Sequence, residues 1–109
     1  MVKLAEIENI LNKMKESGIG GGVIKKDGIL IKSTVALGDV APTVIARAVN
    51  ISDAMMQKEG NKQKEVEVSF EGQTVVMVPI GAYVFFGITK TNEEKKEVLE
   101  YSRKIESVL

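Results

Sequence analysis

Chemistry in this chain is confined to a glycine-rich stretch, two groups of carboxylates and a pair of arginines. Gly18-Ile19-Gly20-Gly21-Gly22 offers bare backbone amides of the kind that cradle phosphates. It lacks the Gly-Lys-Ser/Thr ending of a nucleotide loop and stands between a predicted helix and a predicted strand, the reverse of strand-to-helix order. The expectation is that these glycines let a helix pack closely on the strand beside it, or form a bulge. Glu65 and Glu67 fall on the predicted solvent face of a strand, and Glu93, Glu94 and Glu97 in the opening turns of a helix. Such positions suit solubility and the helix macrodipole better than paired acid–base catalysis.

The chain has no histidine and no cysteine. The first absence removes the usual general base near neutral pH and the commonest transition-metal ligand, and leaves the serines and threonines without a partner base. The second removes disulfides, thiolate nucleophiles and cysteine metal sites. The sequence is therefore expected to be non-enzymatic, with no catalytic residue, cofactor or metal. Arg47 and Arg103 are the only arginines. An arginine finger in phosphoryl transfer is the catalytic role open to them, with Arg47 better placed, but a surface ion pair or an interface hydrogen bond is the favoured reading. Tyr83, Phe85 and Phe86 could stack on bases, yet no basic stripe accompanies them, so they are read as core.

The 109 residues form one expected domain, 1–109, at 44% hydrophobic and 28% charged composition. Fifteen basic residues balance fifteen acidic ones, so no net field draws the chain to nucleic acid or an anionic membrane. A protein partner is the expectation. No apolar run approaches the ~20 residues of a membrane span, and Lys3, Glu6 and Glu8 interrupt what would have to be a signal-peptide core. The expected location is cytoplasmic.

These residues must be positioned by a long helix predicted from Asp39 to Glu59. On a helical wheel Val40, Ile51, Val44, Met55, Ala48, Ala41, Ser52, Ile45, Met56 and Val49 follow one another round an arc of roughly 180°. A helix on a single sheet needs about 100°, so the surplus must be buried elsewhere, and a second copy of the same helix is favoured over enclosure by its own chain. Val44, Ile45, Ala48, Ile51, Ser52 and Met55 are the expected dimer contacts. Asp39 is the expected N-cap, Pro42 fits the first turn, and Gly60-Asn61 closes the element. The opposite arc carries Thr43, Arg47, Asn50, Asp53 and Gln57, with Ala46 and Ala54 among them.

Around this helix the patterning predicts a first helix over 2–17 and a strand from Gly20. A type I′ hairpin at Asp27-Gly28 and a return strand from Ile29 to Ser33 follow. Lys64 to Phe70 alternates, with Val66, Val68 and Phe70 on one face, and its charged face suggests a strand near a sheet edge. Glu71-Gly72 turns into Thr74–Val78, where Pro79 is expected to stop the ladder. Tyr83–Ile88 is another strand, and Thr91 with Glu94 has capping-box spacing ahead of a last helix. Val98, Leu99, Ser102, Ile105, Val108 and Leu109 form its expected buried stripe. The order is α-β-β-α-β-β-β-α with a largely antiparallel sheet, an α+β fold.

That order resembles the roadblock (dynein light chain) family over nearly the whole chain. The likeness is carried by Gly20-Gly21-Gly22-Val23-Ile24-Lys25-Lys26-Asp27-Gly28-Ile29-Leu30-Ile31, the long central helix and Val76-Met77-Val78-Pro79-Ile80-Gly81. The resemblance implies a profilin-like fold in which a five-stranded antiparallel sheet carries the terminal helices on one face and the central helix on the other. It also implies a homodimer formed through the central helices and strand Lys64 to Phe70, which adds Val66 and Val68 to the interface. By the same resemblance the module is a non-enzymatic scaffold or regulator. The paired helices would present Thr43, Arg47, Asn50, Ala54 and Gln57 to a small Ras-like GTPase, whose hydrolysis of GTP it modulates. The rival reading is a profilin-like small-molecule-sensing or assembly domain without a GTPase partner.

Overall fold

Alternation of apolar residues along the strands produces two packed faces on one antiparallel sheet. The computed structural model describes residues 3–35, 45, 49, 50, 65–70 and 72–109. Helix α1 (Leu4–Glu16) is followed by β1 (Gly20–Lys25), β2 (Leu30–Ser33), β3 (Val66–Phe70), β4 (Gln73–Ile80), β5 (Tyr83–Thr89) and α2 (Asn92–Glu106). The sheet order is β2-β1-β5-β4-β3, with every pairing antiparallel. The last strand in the chain is thus the middle one in the sheet.

One face gathers Ile7, Leu11 and Met14 of α1 and Val98 and Ile105 of α2 over Val23, Val76 and Phe85. Both terminal helices therefore share a side. The other face collects Ile24, Met77, Val84 and Phe86 around Val49, with Ile45 packed against them. Ile45, Val49 and Asn50 are helical, and the two apolar residues meet the sheet opposite α1 and α2. The predicted caps Asp39, Pro42 and Gly60-Asn61 lie outside the described residues.

The glycines of β1 do what close packing requires. Gly21 stands opposite Gly87 in the ladder. A methyl group on Gly21 would run into the Phe86 carbonyl oxygen of β5 and lie 2.5 Å from Met14 Cε, and one on Gly87 would lie 2.6 Å from Val98 Cγ2. The pair lets both helices come down onto the sheet, the structural alternative to phosphate binding.

Three local expectations are corrected. The β1–β2 connection is a three-residue loop, Lys26-Asp27-Gly28, in place of a two-residue type I′ turn. Lys25 N–H donates to Ile29 O at 2.8 Å, Gly28 N–H donates to Lys25 O at 2.9 Å, and the glycine takes the left-handed region, at φ 96. Asp27 contributes as an acceptor, its Oδ1 taking Ile29 N–H at 3.1 Å. Secondly, Pro79 does not stop β4, which runs on to Ile80 with Pro79 paired to Val84. Ile80 and Tyr83 close a two-residue turn over Gly81 (φ 60) and Ala82, so the Pro79 nitrogen faces away from β5. β3 begins only at Val66, opposite Met77, and requires no ladder bond there.

The third correction concerns Glu65 and Glu67, which are not on a merely solvated face. They stand on the side of the sheet covered by α2 and both pair with its Lys95. The face of a strand that looks charged in sequence is here the one that a helix reaches across.

Candidate interaction surface

The two outer strands of the sheet are built differently. β2 is four residues long, and its register with β1 shifts between Val23↔Lys32 and Ile24↔Leu30, leaving Ile31 as a bulge. Short length and a bulge both discourage a further strand from adding. β3 has neither protection: its five residues pair with β4 in unbroken register from Val66↔Met77 to Phe70↔Gln73. Val68 on this strand is 43% exposed, one of four large apolar side chains so exposed among the described residues. The regular outer edge with an exposed aliphatic is the feature most suited to receive another strand.

Of the residues expected at a dimer seam, Val66 is half-buried against the Ile24–Val49–Met77–Val84–Phe86 cluster and Val68 is exposed beyond it. Ile45 is half-buried against the same cluster. Val44, Ala48, Ile51, Ser52 and Met55 lie outside the described residues. So do Thr43, Arg47, Ala54 and Gln57 of the expected partner face. Asn50, from that face, is exposed, and its Nδ2 donates to Lys26 O at 2.8 Å, tying the helix to the β1–β2 loop.

The other face of β3 is acidic. Lys95 Nζ lies 2.6 Å from Glu67 Oε2, where it donates a hydrogen bond, and 3.8 Å from Glu65 Oε2. Glu65 Oε2 is closed off from solvent and, among the described residues, meets Lys95 at ion-pair range without a hydrogen bond. The hydrogen bond to Glu67 holds the Lys95 ammonium above the usual lysine pKa, against a smaller opposing effect of desolvation. Lys95 escapes the helical pattern, in which it is one more polar residue. The signal that finds it is Glu65-x-Glu67, two like charges on one face of a strand that need a cation nearby.

The position of α2 follows from its start. Glu94 N–H donates to Thr91 Oγ1 at 3.1 Å, and Glu94 Oε1 accepts from Lys90 N–H at 2.7 Å. This is the expected capping box, closed one residue earlier than usual. Phe85 and Phe86 are fully buried and Tyr83 half-buried, so these aromatics belong to the core. Arg103 is exposed on α2. Among the described residues no three acidic side chains are grouped to hold a metal ion, and no helix is long and apolar enough to cross a membrane.

No family model and no curated protein matches the sequence. Solved structures do. MglB from Thermus thermophilus, described as a gliding protein, superposes with a TM-score of 0.73 at 15% identity, covering 95% of this chain and 91% of that one. Myxococcus xanthus MglB gives 0.73 at 15% identity over 98% and 92%. A Roadblock/LC7 domain from Streptomyces avermitilis gives 0.72 at 10% identity over 99% and 95%. The chain has the roadblock fold.

Proposed function

We propose that this chain is a roadblock-type module that pairs with a second copy of itself and docks a small Ras-like GTPase, acting as a cytoplasmic scaffold or regulator without catalysing a reaction of its own. The observation that carries the reading is the unguarded β3 edge on a roadblock fold, with Val68 exposed where a twin strand would cover it. The wheel of the central segment adds support. Ile45 and Val49, at one end of the apolar arc, meet the sheet of their own chain. On an ideal helical wheel Val44, Ile51 and Met55 stand roughly 100° or more from that direction. They and Ala48, Ser52, Val66 and Val68 form the seam of the proposed dimer, with Ile45 at its border. Thr43, Arg47, Asn50, Ala54 and Gln57 form the proposed GTPase-facing surface, with modulation of GTP hydrolysis arising from contact there.

The test has two parts. Light scattering at micromolar concentration is expected to give twice the 11.9 kDa chain mass. A small Ras-like GTPase of the same organism, loaded with a GTP analogue or with GDP, is expected to be retained by the immobilised protein and lost with Arg47→Ala. A strict monomer removes the dimer, and equal retention by Arg47→Ala removes Arg47 from the contact surface.

A further inference from the structure

The symmetry of a self-pairing strand restricts what meets what. Directly opposed residues of an antiparallel pair project to the same side of the sheet, and a twofold axis maps each strand onto its partner. Positions 67 and 69 of β3, and Glu65 just before it, therefore meet only odd-numbered positions of the twin, and positions 66 and 68 only even-numbered ones. With the axis at position 67 or 68, this covers the exposed Val68 with position 66 or 68 of the twin. In the same registers the other side brings Glu67 of each copy opposite or diagonal to Glu67 of the other, with Glu65 beside it. Carboxylates so placed repel, and diagonal neighbours on a sheet face are only about 7–8 Å apart.

Resting on the dimer reading above, we propose that Lys95 is the residue that permits β3 to pair with a second copy of this chain. Reaching from α2, it supplies the positive charge that the acidic side of the joined strands requires. The geometry suits it to this: one ammonium bridges both carboxylates of its own chain, at 2.6 and 3.8 Å, on the single outer strand left regular. A twin pair then brings four carboxylates and two ammonium groups to one side of the seam. With Lys95 neutral, four carboxylates would face each other uncompensated. The role belongs to association more than to folding, because within one chain Glu65 and Glu67 are partly exposed and water screens them.

Sedimentation velocity on dilution series of the full chain tests this with wild type, Lys95→Arg, Lys95→Gln and the double variant Lys95→Gln/Glu67→Gln. In low salt Lys95→Gln is expected to raise the dimer Kd by about tenfold or more, Lys95→Arg to retain pairing, and the double variant to recover most of the loss. Salt near 1 M, where the screening length is about 3 Å, is expected to restore pairing to Lys95→Gln. Circular dichroism melts at concentrations where each variant is monomeric show whether Lys95→Gln folds, and the double variant keeps the comparison open if it does not. A dimeric wild type whose Kd is unchanged in Lys95→Gln, or a loss that the double variant and salt fail to reverse, overturns the proposal while leaving the dimer standing. A wild type that stays monomeric at every concentration overturns both.

Discussion

Lys95 shows how a single side chain acquires meaning only from its neighbours. Its ammonium faces Glu65 and Glu67 from β3, and Lys90 lines the same cleft at the start of α2. A lysine held above its unfolded pKa contributes stability in full below the unfolded value, near 10.5, and loses it as pH rises through the folded value. The difference in melting temperature between wild type and Lys95→Gln is therefore expected to be flat from neutral pH to about 10 and to shrink at higher pH. A difference that fades towards acid without changing at the alkaline end would show that the lysine is not the group responsible. At this scale the core aromatics are legible in the sequence, since Phe85 and Phe86 sit in a run apolar on both sides and are fully buried. The Lys95 pairing is not legible. Which face of β3 a cation reaches depends on a helix that starts 22 residues after β3 ends, and strand alternation cannot see that helix.

Helix ends and turns divide according to how local their causes are. The α2 start is readable because Thr91 and Glu94 satisfy one another's neighbourhood within four residues. Replacing Thr91 with Ala is expected to cost about 1 kcal/mol in urea unfolding, with the m-value unchanged. An undiminished midpoint would mean that the Glu94 carboxylate alone holds the first turn. At Asp27-Gly28 the residues reveal where the hairpin turns but not the form of the turn. A glycine preceded by aspartate suits both a two-residue primed turn and a three-residue loop, and the strand register that decides between them includes the bulge at Ile31. Pro79 misleads for a related reason. A proline forbids only the bond on its nitrogen's side, and on that side the neighbouring strand has already ended.

Taken whole, the molecule has two unlike rims. One is short and bulged; the other is straight and partly apolar. Val68→Lys places a charge where exposed strands commonly carry one, and is expected to change the chain's own stability by less than about 0.5 kcal/mol. The same substitution is expected to abolish dimerisation in light scattering, and a dimer that survives it would place the seam elsewhere. The five antiparallel strands and the two terminal helices follow from the sequence, since hairpins announce themselves through nearby turns. The order of strands does not, because β1 and β5 pair across some sixty intervening positions with no turn to signal it.

That long-range pairing has a temporal consequence. β1–β2 and β3–β4 are each self-contained hairpins, but no strand joins them until β5 enters between β1 and β4. During synthesis the two halves of the sheet emerge as separate pieces, and Val23 and Val76 become parts of one interior only when Phe85 has left the ribosome. The sheet of this protein is thus joined into one by the strand made last.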